Sequence, residues 1–184
     1  MRILLLGAAL AAFAQQPGGV TPTWGIRPVL RSLAEGTARL RPVIEQVRPA
    51  DWTNKGAPAA YKSIHQNLRD EVSQLTAQIR ELETDPERMT PLLDLYFRLQ
   101  SLESLMNSLG NGARKYQNPD LADSLLDTLA QTENTRTQLR TYLMELVSTR
   151  EQELKIMDRE AQRCRDTILR ERPQPPKPAA PKAK

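Results

Sequence analysis

The 184-residue chain is 39% hydrophobic, 26% charged and only 4% aromatic, with a mean hydropathy of −0.55. This composition excludes a collagen-like fibre, a wholly disordered chain and an integral membrane protein. The single Cys excludes a disulfide framework and a multi-cysteine zinc site, and the single His excludes sites that need two histidines.

Residues 1–14 have the layout of a secretory signal peptide. Arg2 precedes an unbroken apolar run, and Ala12 and Ala14 supply the small residues of a cleavage site. The run is too short to span a bilayer as a helix. We therefore expect cleavage after Ala14, a periplasmic or secreted location, and no transmembrane segment once the signal is removed.

The positive charge lies at the two ends of the chain. Arg2 and three lysines in the last eight residues account for the net charge of +4, so residues 15–172 are neutral. Phosphate neutralisation drives nucleic-acid binding, which requires a basic surface. The neutral body and its few aromatic residues predict that nucleic acid is not a partner.

Prolines and glycines divide the chain into segments. Residues 15–25 are predicted to be an unstructured lead, and residues 26–172 a single helical domain. Five prolines among residues 173–184 disfavour a helix and predict a disordered Pro/Lys-rich tail.

The first helix is predicted from an apolar stripe with alternating spacings of four and three residues, which places the stripe on one helix face. Pro28 suits the first turn of a helix, whereas Pro42 in the interior predicts a kink. The stripe consists of Ile26, Leu30, Leu33, Thr37, Leu40, Ile44 and Val47.

Two more helices have similar stripes. One begins at Pro58, and the other begins at Thr90-Pro91, a capping residue followed by proline. The third stripe is the broadest, so this helix is expected to be the one most surrounded by neighbours. The two stripes are Tyr61, Ile64, Leu68, Val72, Leu75, Ile79 and Leu82, then Leu92, Leu95, Tyr96, Leu99, Leu102, Met106 and Leu109, widened by Leu93, Phe97 and Leu105.

The fourth helix has the clearest start signal, Asn118-Pro119-Asp120, and no further Pro or Gly until Pro173. Short connections predict antiparallel neighbours. The expected fold is therefore an all-α, up-down-up-down antiparallel bundle of four helices with an overlong C-terminal helix. We expect that helix to be continuous, with its distal half partly covered by the first helix. The alternatives are a projecting arm or a break within residues 131–137.

The residue types that support catalysis or cofactor binding are sparse. His65 with a methionine is a possible haem-ligand pair, but no haem-attachment motif is present, and we expect no cofactor. The motifs of serine hydrolases and phosphate-binding loops are missing from the sequence, so we predict a non-enzyme. The acidic groups at residues 81–87 and 120–127 are predicted to be a solvated corner and charges that complement the dipole of a helix start, with calcium binding as the alternative.

Two residues are candidates for interaction sites. Cys164 lies on the distal apolar stripe of the fourth helix, where we expect either a buried thiol or a disulfide between two chains. Trp52, in the longest loop, is expected to plug one end of the bundle or to anchor a partner. The distal stripe comprises Leu154, Met157, Ala161, Cys164 and Ile168.

These features favour a non-catalytic protein of the cell envelope with a structural or protein-interaction role. The expected partner is another protein or a second copy bound through the distal part of the fourth helix. A small periplasmic chaperone is the alternative, and a haem-binding bundle is a weaker one.

Overall fold

The computed structural model describes residues 23–171 and, within them, the side chains of residues 25–170. The predicted signal peptide, most of the predicted lead and the Pro/Lys-rich tail lie outside these residues. The described part of the chain is all-helical and contains no strand. Its elements are α1 (Thr23–Ile44), α2 (Pro49–Trp52), a 3₁₀ turn (Thr53–Lys55), α3 (Ala60–Thr84), α4 (Met89–Tyr116), α5 (Pro119–Ala130) and α6 (Glu133–Glu171).

The first three long helices begin close to the predicted positions. Helix α1 begins three residues before the predicted start, continues through Pro42 and ends at Ile44. All seven residues of its predicted stripe are buried. The stripes of α3 and α4 also face the core, except that Tyr61, Ile64 and Tyr96 are half-buried. The spacing of apolar residues therefore identified the buried faces correctly.

Antiparallel packing of the bundle is confirmed by contacts between the helix ends. Arg27 near the start of α1 donates a hydrogen bond to the Thr84 carbonyl at the end of α3. At the opposite end, Arg48 beyond α1 meets Gln117 beyond α4. Helices α5 and α6 run one after the other along α4 in the reverse direction, and together they form the fourth member of the bundle.

The prediction of a continuous fourth helix is wrong, because the chain breaks between α5 and α6. The Thr132 side chain is buried, and its hydroxyl donates to the Leu129 carbonyl at 2.7 Å. The Thr132 amide also donates to this carbonyl, at 3.0 Å. These bonds to the third preceding residue replace the helical pattern and turn the chain, as expected for a short polar side chain that competes for backbone groups.

At the break, Thr132 lies in close contact with Gly36 of α1. A Cβ atom built on Gly36 would lie 2.8 Å from Cγ2 of Thr132, so only glycine lets the helix approach the turn this closely. Beyond the break, Arg136 forms ion pairs with Glu103 of α4 and with Glu133. The start of α6 is therefore fixed against both α1 and α4.

The length of the fourth member exceeds what the bundle can cover. Residues 119–146, from the start of α5 to the last buried residue of α6, span about the length of α4. The rest of α6 extends past the turn between α3 and α4. The expectation that α1 partly covers the distal half is thus wrong, since residues 151–170 of α6 are all exposed.

Candidate interaction site

The last part of α6 projects from the bundle. Leu146 is 1% exposed and is the last buried residue of the helix, whereas all residues from 151 to 170 are exposed. These twenty residues extend about 30 Å at 1.5 Å per residue. We call residues 151–170 the arm.

An arginine fixes the base of the arm. Arg150 donates one hydrogen bond to Glu87, in the turn before α4, and a second to Glu153 in the arm, both at 2.8 Å. The hydrogen bond and charge of Glu153, with those of Glu87, raise the pKa of Arg150 above its ordinary value. The guanidinium, which is charged as in any arginine, connects the bundle to the first turn of the arm.

The arm exposes large apolar side chains. Leu154, Met157 and Ile168 lie on the predicted stripe and are each more than 60% exposed, whereas Ile156 and Leu169 lie on other faces of the helix. A soluble helix normally buries such a stripe against a neighbour. Within residues 23–171 no element packs against it.

Cys164 lies in the middle of this stripe and is exposed. The prediction of a thiol buried in the single chain is therefore wrong, and the reason is that α1 does not reach the arm. The alternative, a disulfide between two chains, stays a prediction. Cys164 faces the same side as Met157 and Ile168, so any helix that binds the stripe covers the thiol.

Trp52 closes the opposite end of the bundle and is not an exposed anchor. The side chain is 1% exposed and packs between the rings of Tyr61 and Tyr116, with ring centroids 5.3 and 6.0 Å away. A Cβ atom on Gly112 would lie 2.7 Å from Cζ3 of Trp52 and 2.6 Å from Cε1 of Tyr61. The glycine is needed here because the rings lie directly on the α4 backbone.

Gln117 completes the closure around Trp52, a role that the sequence did not indicate. Its Oε1 accepts from Trp52 Nε1 at 3.1 Å and from the Arg48 amide at 2.9 Å, while its Nε2 donates to the Gln46 carbonyl at 2.9 Å. Beside this network is an open cavity of about 580 Å³, lined by both acidic and basic side chains. Its polar groups mainly join the chain segments at the end of the bundle.

His65 stabilises the end of α1. Its Nε2 donates a hydrogen bond to the Ile44 carbonyl at 2.9 Å, so this nitrogen is engaged. Of the methionines on the other helices, Met106 is buried, Met89 is half-buried, and Met144 and Met157 are exposed. To ligate haem through Nε2, His65 would have to lose its hydrogen bond to the Ile44 carbonyl, and the haem hypothesis stays an alternative.

Arginines form ion pairs with four of the acidic residues of the two groups. Glu81 pairs with Arg88, Glu83 with Arg31, and Glu87 with Arg150. At the start of α5, Asp123 pairs with Arg114, and the Asn118 side chain caps the helix by accepting from the Asp120 amide at 2.9 Å. Among the described residues, no three His, Cys, Asp or Glu side chains are grouped so that they could hold a metal ion.

Phe97 is a further exposed residue, although the sequence placed it on the widened face of α4. It is 61% exposed and makes an edge contact with Tyr96. Helix α4 has neighbours on several sides, but they do not extend around to this position. The broad apolar stripe therefore predicted that α4 is more completely surrounded than it is in the structure.

None of the helices in the described part of the chain combines the length and the hydrophobicity needed to cross a bilayer. No protein-family model matches this chain, and comparisons with curated proteins and with solved structures also find no match.

Proposed function

We propose that this protein is a non-catalytic interaction protein of the cell envelope, in which the bundle is a support and the arm binds another protein. The single observation that carries the proposal is the run of twenty exposed residues in α6 with an apolar stripe along one face. A stripe spaced at three and four residues fits the face of a partner helix.

The interactions elsewhere in the molecule support a structural role for the bundle. Of the groups that suggested chemistry in the sequence, His65 donates a hydrogen bond to the end of α1, and four acidic residues form ion pairs with arginines. The envelope location rests on the signal peptide predicted from residues 1–14.

A photo-reactive amino acid at Met157 tests this function in cells. We expect irradiation to give a covalent protein adduct of one defined mass, because Met157 is on the stripe. The matched control is the same amino acid at Arg159, which lies on the opposite face of the arm and should give no adduct. If Met157 gives no protein adduct, the proposed function is wrong.

A small chaperone is the second candidate, and it is favoured by the several large apolar side chains that are exposed, including Phe97 and Met144. It is supported less well, because a single straight helix offers no concave surface to enclose an unfolded chain. The same cross-linking experiment separates the two functions. A chaperone would give adducts of many masses, and these would increase when envelope proteins are unfolded by heat.

A further inference from the structure

The arm has the residue pattern of one strand of a coiled coil. Leu154 and Ala161 alternate with Met157 and Cys164 at spacings of three and four residues, and Ile168 continues the series. This seven-residue period keeps one face directed at a partner helix along the whole arm. The small residues at the centre allow a close approach, and the larger ones on either side provide most of the apolar contact.

The charges along the arm identify the partner. Residues 151–160 contain four acidic and two basic residues, whereas residues 161–170 contain three basic and one acidic residue. At the base of the arm, Arg150 pairs with both Glu153 and Glu87, so these three residues together carry a net charge of −1. The arm is therefore negative near the bundle and positive toward its tip.

A helix that complements the arm must have the reverse gradient, and a second copy of the arm in the antiparallel direction supplies it. Each negative half then lies beside a positive half. In the parallel direction, like charges would lie together along the whole contact. The charge pattern thus selects both the partner and its orientation.

We propose that two copies of this protein associate through residues 151–170 as an antiparallel two-stranded coiled coil. The proposal rests on the proposed function of the arm as a binding element, and it names the partner. In the register whose twofold axis passes between residues 162 and 163, two residues beyond the centre of the arm, Met157 of one copy packs against Ile168 of the other, and Ala161 packs against Cys164.

This register also pairs the flanking charges. Asp158 and Arg165 both follow a stripe residue directly, so they lie on the same edge of the contact, and Asp158 of one copy approaches Arg165 of the other. The twofold symmetry produces this pair twice. Because Cys164 faces Ala161 of the second copy, a disulfide is not required and the dimer should persist in reductant.

Light scattering after size exclusion, with the protein expressed from its full coding sequence, tests the association. We expect a dimer with and without reductant. The variant Met157→Gln/Ile168→Gln should be monomeric. The control Ile156→Gln/Leu169→Gln removes two exposed apolar side chains that are off the stripe, and it should stay dimeric. Because all four residues are exposed in the single chain, circular dichroism should show that both variants fold.

Cysteine cross-linking tests the orientation in a Cys164→Ser background. A mixture of the single variants Met157→Cys and Ile168→Cys should give the mixed disulfide, and each variant alone should give none. Residues 157 and 168 are about 16 Å apart along one helix, so identical positions are far apart in the antiparallel dimer. Disulfides between identical positions would overturn the antiparallel arrangement.

A charge exchange tests the pairing. Asp158→Arg and Arg165→Asp should each weaken the dimer roughly tenfold, because each places like charges together at two symmetric positions. The double variant should restore the affinity. If Asp158→Arg strengthens association, Asp158 faces an acidic residue and the register is wrong.

The outcomes separate this proposal from the function on which it rests. A monomer at all concentrations, together with a Met157 adduct to a different protein, would overturn the second copy as partner and leave the interaction function standing. A monomer without any protein adduct would overturn both.

Discussion

At the residue scale, packing at the Trp52 end of the bundle depends on a glycine that lies within a helix rather than in a turn. Gly112 lies inside α4, where glycine is unfavourable by about 1 kcal/mol relative to alanine. It is required because the rings of Trp52 and Tyr61 occupy the space of a Cβ atom. The buried tryptophan therefore depends on the smallest residue of the neighbouring helix.

We predict that Gly112→Ala lowers the free energy of unfolding by about 1–2 kcal/mol, since the strain of the crowded rings exceeds the gain in helix propensity. Gly110→Ala is the matched control. Its Cβ atom would meet the Leu126 side chain at 3.2 Å, and that side chain is able to shift. Urea unfolding measures both variants, and equal stability of the two would contradict the explanation.

Tyr142 gives the molecule a dependence on alkaline pH. Its hydroxyl donates to the Pro86 carbonyl at 3.1 Å, and burial, together with the charge of Glu87, raises the pKa of Tyr142 above its ordinary value of about 10. A raised pKa in the folded state means that ionisation opposes folding. The contribution of Tyr142 to the stability is therefore fully present below about pH 10 and is lost as the pH rises beyond it.

We expect Tyr142→Phe to cost about 1 kcal/mol at pH 8, because the Pro86 carbonyl loses its donor. As the pH rises above 10, the wild type should lose stability faster than the variant, and the difference between them should shrink. Chemical unfolding at pH 8 and pH 11 measures this effect. An unchanged difference would show that Tyr142 does not ionise on unfolding.

At the scale of elements, the sequence predicted the faces of the helices better than their continuity. Apolar spacing identified the buried sides of α1, α3 and α4, and the Asn118 cap identified the start of α5. The break at Thr132 was only one of three alternatives, and the packing of Thr132 against Gly36, a residue almost one hundred positions earlier, has no local sequence signal. Similarly, Gln117 has no local pattern, and its role arises only where three segments meet.

The contact between Gly36 and Thr132 can be tested by mutation. Gly36→Ala should destabilise the protein by about 1 kcal/mol, because the new methyl group meets Cγ2 of Thr132. Thr132→Ser keeps the hydroxyl that donates to Leu129 and removes Cγ2. In the Thr132→Ser background, Gly36→Ala should therefore be neutral or stabilising, as measured by a double-mutant cycle of unfolding free energies. Additive effects would contradict the proposed contact.

At the scale of the whole molecule, the excess length of the last helix was visible in the sequence, but its path was not. Periodicity continues unchanged from the buried part of α6 into the arm, so a stripe alone does not distinguish a covered face from an exposed one. The stripe becomes exposed where α6 extends beyond the end of the bundle. Cys164 was misjudged for this reason, since its spacing is that of a core residue.

The proposed location can be tested on the whole protein. We predict that the exported chain begins at Gln15, which mass spectrometry of the purified protein would show. Ala14→Lys should block processing and leave the precursor intact, whereas Gln16→Lys should have little effect. A mature chain that retains residues 1–14 would contradict the predicted signal peptide.

The unbroken course of α6 from the bundle into the arm has a mechanical consequence. No glycine or proline interrupts residues 133–171, and Arg150 ties the point of emergence to the bundle. The joint therefore contains no hinge about which the bundle can swivel. A partner that binds the arm therefore also fixes the direction of the bundle, so that binding near the tip orients the entire molecule.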